Sequence, residues 1–283
     1  MPLSKVGSIL CCSTAVICMI MPGLVFAATA SERQGPNVFA GIEYFSWEEF
    51  GNTGPSLLKE SGSRLTLGAV ARNFEQPFHR IVYEVEVKGY FGDVGYDGQT
   101  QSGQPLETDT EYRGTRLDVT IGGRVMRLWD SYHIDLLGGL GVEDWTRNIK
   151  DGETSSGTPV FGIKETYHVR YGQVGIGLFD GAHNGDNYLR IGARKPLDIR
   201  QGVSIFDGPA VLEPQGEWAM FIRYRAALDR PSSRYRRALT FYYDSYRLSQ
   251  SPIISTTIGG TPSLVFQPRS TMDVFGVQFE TSF

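Results

Sequence analysis

One of the four histidines in this sequence stands near acids and hydroxyls, the combination that nucleophilic catalysis uses. His168 follows a polar stretch with these residues: Asp151, Glu153, Ser155, Ser156 and Glu165. A histidine, an acid and a hydroxyl that meet in space make a hydrolase site. A single histidine on a charged strand face more often serves as a hydrogen-bonding residue. His168 is therefore the candidate catalytic residue of this sequence. Because the hydrogen-bonding role is the commoner one, we expect no enzyme activity.

Two acidic stretches raise the question of bound cations. The stretch 180–187 contains several oxygen-bearing residues: Asp180, Asn184, Asp186 and Asn187. However, Ala182 occupies a ligand position of the EF-hand pattern, and Asn184-Gly185 is a turn signal. The stretch 92–110 has four acids and no basic residue: Asp93, Asp97, Glu107 and Asp109. A solvated acidic loop explains it more simply than a calcium site does. We expect neither a metal ion nor a cofactor.

Strands must position these residues, because apolar side chains recur at every second position through most of the chain. In one segment, Ile81, Tyr83 and Val85 alternate with Glu84 and Glu86. A period of two with unlike faces is typical of β-strands. Ten segments follow this pattern: 37–50, 63–74, 79–91, 111–127, 131–147, 163–179, 187–194, 217–228, 236–248 and 271–283. The sequence therefore predicts an all-β fold of about ten strands.

The segment that contains His168 changes phase along its length. Its apolar residues Tyr167, Val169 and Tyr171 are predicted to face outward, which places His168 on the inner face. The apolar positions shift by one residue before Val174. We expect a β-bulge at this point, beside Gly172.

The N-terminal segment resembles a secretory signal peptide. Lys5 is followed by an apolar run from Val6 to Ala27, and small residues suit cleavage after Ala27 or Ala30. A retained membrane helix is the alternative for residues 1–30. All three cysteines lie in this segment: Cys11, Cys12 and Cys18. Residues 31–283 then form one exported domain without disulfides. The formal net charge of −4 argues against a nucleic-acid partner.

The connections between predicted strands alternate in length. Long polar stretches follow the odd segments, at 51–62, 92–110, 148–162, 195–216 and 249–270, whereas short links follow the even ones. Short turns at one end and long loops at the other are typical of an up-and-down antiparallel transmembrane β-barrel, with long extracellular loops and short periplasmic turns. A soluble barrel remains the alternative, because alternation alone leaves open which face is inside.

Two further patterns favour a membrane barrel over a soluble one. Aromatic residues lie near strand ends, where they are expected to form girdles at the membrane interfaces: Trp47, Trp129, Trp145, Trp218, Tyr44, Phe50, Phe74, Phe91, Tyr112, Tyr132, Tyr171 and Tyr246. Charges of both signs occupy the opposite face, where they are expected to pair across a narrow lumen: Glu84, Glu86, Lys88, Arg116, Asp118, Arg124, Arg170, Arg190, Arg223 and Arg225.

The last ten residues, VFGVQFETSF, carry a further signal. Their alternate large apolar residues are Phe275, Val277, Phe279 and Phe283. This ending resembles the C-terminal assembly signal of Gram-negative outer-membrane β-barrel proteins, although Thr281 departs from it. The resemblance implies location in the cell outer membrane. It also implies that the barrel-assembly machinery, outer-membrane lipid and lipopolysaccharide are partners.

Side chains fill the interior of an eight-stranded barrel, and a barrel of ten strands is only slightly wider. A plugged or very narrow lumen is therefore expected. We therefore expect a non-enzymatic outer-membrane barrel whose surface loops carry a structural or adhesive role, or which acts as a narrow pore. Two alternatives remain open. One is an outer-membrane hydrolase that uses His168, and the other is a soluble exported all-β binding protein.

Overall fold

A computed structural model describes residues 36–51, 54–74, 80–100, 103–128, 132–180, 187–229 and 236–282. Ten of its strands are long: β1 (Asn37–Phe50), β2 (Ser56–Arg72), β3 (Ile81–Gln99), β4 (Pro105–Leu128), β5 (Tyr132–Ile149), β8 (Ile163–Asp180), β9 (Asn187–Val203), β12 (Ala219–Ala227), β13 (Arg237–Leu248) and β16 (Arg269–Thr281). Six short strands lie in the connections: β6 (Gly152–Thr154), β7 (Pro159–Val160), β10 (Val211–Leu212), β11 (Gly216–Glu217), β14 (Ile254–Ile258) and β15 (Thr261–Val265). None of the described ranges includes a helix of the length and apolarity needed to cross a membrane.

The ten long strands form one closed antiparallel barrel. Each strand pairs with its neighbours in chain order, and β1 pairs with β16 to close the ring. That closing seam runs from Val38 opposite Thr281 to Phe50 opposite Arg269. All ten predicted segments are therefore strands, and the predicted all-β fold is confirmed. A closed ring leaves no long unpaired edge within the barrel.

The barrel wall has two unlike faces over the part of the strands nearest the chain termini. Apolar side chains point outward and are well exposed, as with Ile81, which is 65% exposed, and Ile121, which is 59% exposed. Every strand contributes to this outer apolar band, which includes Ile42, Leu67, Ile81, Ile121, Leu136, Ile176, Ile191, Met220, Phe241 and Phe279. The alternating charged residues point inward, because successive side chains of a strand face opposite sides of the sheet.

Beyond this apolar band the strands continue, and the character of the outer face changes. Asp93 and Asp97 of β3, and Glu107 of β4, are exposed on the outer side of a regular hairpin. The predicted loops 51–62 and 92–110 are therefore mostly strand, since β2 begins at Ser56, β3 continues to Gln99 and β4 begins at Pro105. Polar residues on the outer face suit strands that extend into water, which the sequence pattern alone represented as loops.

Three β-bulges shift the ladder between the described barrel strands. At each bulge one residue has no partner in the adjacent strand. These residues are Leu57 of β2 opposite β1, Val125 of β4 opposite β5, and Leu197 of β9 opposite β8. A register shift does occur beside Gly172, between Arg170 and Tyr171, but its extra residue is Leu197 on β9. The change of phase predicted within β8 is wrong, since inward positions stay odd-numbered from Glu165 to Phe179. The apparent change of phase arises because the apolar side chains of β8 face outward at one end and inward at the other.

The same reversal corrects the predicted aromatic girdles. Trp218, Tyr44 and Phe91 do lie exposed on the outer side. Most of the others point into the barrel and are buried: Trp47, Trp145, Phe74, Tyr112, Tyr171 and Tyr246. Five of these six belong to an interior cluster with Phe45, Tyr90, Tyr167 and Tyr242. Phe50 and Tyr132 are half-buried, and Trp129 lies outside the described residues.

The connection before β16 contains an ordered hairpin. Strands β14 and β15 pair from Ile254 opposite Val265 to Ile258 opposite Thr261. A bridge from Phe206 to Ile258 joins it to the connection before β10. The base of the hairpin is fixed by hydrogen bonds between Ser251 and Gln267, both of which are buried.

Candidate functional site

The barrel interior is the most highly charged part of the described structure. Eleven buried carboxylates lie there: Glu43, Glu49, Glu60, Glu84, Glu86, Asp118, Asp135, Glu143, Glu165, Asp244 and Glu280. Ten cationic side chains accompany them, all at most 11% exposed: Arg64, Arg72, Lys88, Arg116, Arg124, Arg147, Arg190, Arg194, Arg223 and Arg225. The two signs nearly balance, so most of these groups find a partner inside the barrel.

Near the chain termini the ion pairs link strands that are one or two places apart in the ring. Glu280 receives hydrogen bonds from Arg72 at 2.9 Å and from Arg225 at 3.1 Å, and it also accepts one from Thr240. Arg124 pairs with Asp135 at 2.9 Å. These contacts fix the inner face of β16 to the strands on both sides.

The middle of the barrel is crossed by ion pairs between opposite walls. Arg116 of β4 reaches Asp244 of β13 at 2.8 Å, and Arg223 of β12 reaches Glu86 of β3. In a ring of ten strands each of these pairs joins strands five places apart, which is the greatest separation available. Arg190 adds a bridge to Glu84 at 3.1 Å. The lumen is therefore occupied at this level by side chains that meet at its centre.

A second layer of carboxylates is bound by tyrosines as well as by cations. Glu43 contacts Arg64 and Lys88, the latter at 3.0 Å, and accepts a hydrogen bond from Tyr242 at 2.6 Å. The guanidinium of Arg64 also lies over the Phe45 ring, 4.1 Å from its centroid. Such stacking compensates part of the hydration that a buried guanidinium loses.

Above the apolar band, one arginine is surrounded by three carboxylates. Arg147 contacts Glu49 at 3.1 Å, Glu60 at 2.9 Å and Glu165 at 2.9 Å. Glu49 also accepts a hydrogen bond from Gln267 at 3.1 Å, which ties the base of the hairpin to the barrel wall. Burial raises the pKa of Glu49, and the charge of Arg147 opposes this rise only in part.

Glycines on one strand accommodate aromatic rings of the next. Tyr171 lies opposite Gly141, Tyr242 lies opposite Gly276, and in each pair a Cβ added to the glycine would fall 2.2 Å from the ring. The phenol of Tyr171 donates a hydrogen bond to Asp118 at 2.6 Å. The glycines thus allow the rings to lie flat against the wall while their hydroxyls reach the charged network.

The sequence-predicted network lies mostly where it was expected. These residues point inward and make the ion pairs described above or neighbouring ones: Glu84, Glu86, Lys88, Arg116, Asp118, Arg124, Arg190, Arg223 and Arg225. Arg170 is the exception, because it lies exposed on the outer surface. Its placement corrects the parity assigned to β8, where Tyr167 and Val169 are the inward residues.

Sequence reasoning missed several interior charges that the same alternation could have indicated. The missed residues are Glu43, Glu49, Glu60, Arg64, Arg72, Glu143, Arg147, Glu165, Arg194, Asp244 and Glu280. Most of them lie on the charged face of a predicted strand. Glu165 lies in a predicted strand whose faces were assigned in reverse, and Glu60 lies in the stretch 51–62, which the sequence pattern represented as a loop.

His168 is also on the outer surface, so its predicted inward orientation is wrong. Its Nδ1 lies 2.5 Å from Asp144, and its Nε2 accepts a hydrogen bond from Nε of Arg170 at 3.2 Å. Of the three acids named near it in the sequence, Glu165 points inward, and Asp151 and Glu153 lie exposed in the preceding connection. Ser156 hydrogen bonds with Thr154 in the preceding connection. The structure therefore pairs His168 with an acid and an arginine rather than with a hydroxyl.

The remaining predicted features have these positions. Phe275, Val277 and Phe279 point outward from β16, whereas Phe283 lies outside the described residues. Most of the stretch 180–187 also lies outside them, as do His79, His183 and the segment 1–30. In the acidic stretch 92–110, Asp93 contacts Lys150 at 3.2 Å. Within the described ranges no cluster of three potential metal ligands occurs.

Three solved structures are similar to this chain at low sequence identity. The translocator domain of autotransporter NalP from Neisseria meningitidis is 13% identical with a TM-score of 0.37, over 88% of this chain and 89% of that one. The transport unit of autotransporter AIDA-I from Escherichia coli is 10% identical with a TM-score of 0.40, over 95% and 97%. An outer membrane channel from Pseudomonas putida F1 is 11% identical with a TM-score of 0.38, over 89% and 97%.

At such identity these likenesses concern the fold alone. No protein-family model matches the chain, and no curated protein matches its sequence.

Proposed function

We propose that this chain is an integral outer-membrane barrel that anchors and presents the structures at its polar end, without acting as an enzyme or a wide pore. The observation that carries this proposal is the inverted polarity of the wall. Large apolar residues such as Ile81 and Leu140, each 65% exposed, cover the outside, whereas charges fill the inside. A soluble barrel buries its apolar face, and a membrane barrel exposes it to lipid.

The contacts across the lumen favour an anchoring role over diffusion. The Arg116–Asp244 and Arg223–Glu86 pairs cross the barrel at its middle. Moving solute past them would require both partners to lose their pairing inside a narrow space, which costs several kcal/mol for each buried charge. A structural or adhesive function therefore belongs to the polar end, where the strands rise beyond the apolar band.

Planar-bilayer recordings test this occlusion. The refolded barrel is expected to give no porin-sized conductance steps, because paired side chains occupy its centre. A double variant, Glu86→Ala with Arg223→Ala, removes both partners of one crossing pair and is expected to introduce small steps. A matched pair on the outer surface, Glu111→Ala with Arg113→Ala, should leave the recordings unchanged. Large stable steps from the unmodified protein would refute an occluded lumen.

Thiol labelling on intact cells tests the orientation. All cysteines of the sequence lie within the first 18 residues, so the unsubstituted chain gives the background signal. Leu264→Cys lies on the hairpin at a position that is 75% exposed, and Arg80→Cys lies at an exposed position at the other end. A membrane-impermeant maleimide is expected to label Leu264→Cys on intact cells and Arg80→Cys only after lysis. The opposite pattern would reverse the orientation.

The hydrolase alternative has less support. A serine or threonine nucleophile needs a base within hydrogen-bond reach. Both ring nitrogens of His168 are engaged, one by Asp144 and the other by Arg170. A purified barrel that hydrolyses lipid or peptide and loses this activity with His168→Ala would restore the enzyme hypothesis.

A further inference from the structure

Three cations stand on the outer wall where the apolar band ends on β8 and β9. Along β8 the outward residues Ile176 and Val174 are exposed and apolar, and the next exposed outward side chain is Arg170. Along β9 the outward residue Ile191 is followed by Lys195 and then by Arg200. On both strands, therefore, the surface changes from apolar to cationic within a few residues.

The side chain of Arg170 is held in place by its neighbours. Asp144 contacts Nδ1 of His168 at 2.5 Å, and Nε2 of His168 accepts the Nε–H of Arg170 at 3.2 Å. This chain of contacts uses only the inner nitrogen of the guanidinium. Among the described residues no carboxylate forms an ion pair with Arg170, so its two terminal nitrogens remain available for a ligand. A guanidinium fixed at Nε presents its terminal fork in one direction.

Strand β9 supplies the other two cations on either side of Arg170. In the β8–β9 ladder Arg170 lies opposite Asp198, His168 opposite Arg200, and Gly172 opposite Lys195. Arg200 and Lys195 are therefore the diagonal neighbours of Arg170, at roughly 7–8 Å between backbones. The skipped residue Leu197, which is 66% exposed, adds an apolar side chain between them.

Two carboxylates lie beside this positive patch: Asp144, which contacts His168, and Asp198. Asp198 lies 3.6 Å from Nε of Arg200, whose side chain is 59% exposed. An ion pair of that length at an exposed site contributes little energy, so it leaves Arg200 able to bind another anion. The β3–β4 side of the same rim differs, because three acids are exposed there, Asp93, Asp97 and Glu107, and its exposed cation Arg113 is paired with Glu111.

We propose that Arg170, Lys195 and Arg200 bind the phosphate of an anionic lipid in the outer leaflet. This inference rests on the proposed membrane location. Planar arginine forks match phosphate oxygens in a bidentate manner, and Lys195 adds a point charge. The lipid's acyl chains would lie on the apolar band directly beside the patch, whereas a free phosphate ion gains nothing from that band. Anionic headgroups attract basic residues at a membrane surface in this way.

Lipid titration of the refolded barrel in phosphatidylcholine nanodiscs tests the proposal. The probe is lipid A that carries its phosphates, and native mass spectrometry counts the bound molecules. Arg170→Gln is expected to weaken binding about tenfold, as expected for the loss of one charge-assisted pair. Arg170→Gln with Arg200→Gln should weaken it further. The control is Arg113→Gln, which removes an exposed outer cation already paired with Glu111.

Additional arms identify the source of the phosphate. Dephosphorylated lipid A should bind the unmodified protein as weakly as lipid A binds the double variant. Inorganic phosphate should not displace the lipid, and displacement at equal concentration would assign the patch to a soluble ion instead. Loss of binding in EDTA would assign it to bridging cations and overturn direct contact.

Two outcomes separate this proposal from the proposed function. Failure of the barrel to insert into neutral nanodiscs would overturn the membrane location. Normal insertion with equal lipid A binding by Arg170→Gln, Arg113→Gln and the unmodified protein would overturn only the phosphate site.

Discussion

Replacement of Arg116 by leucine is expected to lower the free energy of unfolding by about 3–5 kcal/mol. Arg116 is 2% exposed and contacts Asp244 at 2.8 Å, Asp118 at 2.9 Å and Glu86 at 3.3 Å. Leucine fills much of the volume but leaves these carboxylates without their shared cation. A buried charge that loses its partner costs more than the original pair contributed. Urea unfolding of the refolded barrel, followed by tryptophan fluorescence, measures the change.

Arg247→Leu is the matched control. Arg247 pairs with Asp273 at 3.1 Å, but its side chain is 33% exposed, so water can replace the lost contact. The expected cost is below about 1 kcal/mol. Equal costs for the two variants would mean that the interior is well hydrated and that the crossing pairs do not seal it. Arg116→Leu combined with Asp244→Asn should cost less than the sum of the single changes, because the two residues share one interaction.

Gly141→Ala is expected to destabilise the barrel by about 1–3 kcal/mol, although it adds a single methyl group. The new Cβ would lie 2.2 Å from Cζ of Tyr171. That ring has little freedom to move, because its hydroxyl is bound to Asp118 at 2.6 Å and it packs edge-to-face with the Tyr246 ring, with 5.9 Å between the ring centroids. The wall or the phenol must shift, and either movement breaks hydrogen bonds. The midpoint of thermal unfolding and the proportion of heat-modifiable barrel on gels report the effect.

Gly138→Ala, on the same strand, supplies the control. Apart from Gly138 itself and its two chain neighbours, no described residue has an atom within 4 Å of the added Cβ, so alanine should be neutral or slightly stabilising there. In a Tyr171→Ala background, Gly141→Ala should lose most of its cost, because the ring that it meets is absent. A cost that persists in this background would assign the effect to the backbone rather than to the contact between ring and glycine.

The strand pattern could be predicted because each strand has one apolar and one charged face within the apolar band. There, the outward residues such as Ile121 and the inward residues such as Asp118 alternate from Arg116 to Ile121 on β4, before the bulge at Val125. The period of two identified all ten strands for this reason. It also indicated nine of the interior charges, since a charge between outward apolar residues has only the inside available to it.

The rest could not be predicted because the rule depends on what surrounds the wall. Outside the apolar band the apolar residues of β8, Tyr167 and Val169, turn inward, and the polar residues His168 and Arg170 face outward. A sequence does not mark where this change occurs. The same strand parity therefore gave correct faces at one end of β8 and reversed faces at the other. Contacts between distant strands, such as Arg116 with Asp244, were likewise invisible to a local pattern.

The seam between β1 and β16 has a consequence for the order of assembly. Most of the other barrel strands pair with a neighbour close by in the chain, but this seam joins Val38 to Thr281. Without β16 in place, the other nine strands would form an open sheet whose two edges, β1 and β13, lack partners and can pair with each other or with another copy. Bringing β1 and β16 together is slow, because closing a loop of this length costs conformational entropy before the hydrogen bonds of the seam form. The placement of β16 therefore determines how long these two strand edges remain unpaired.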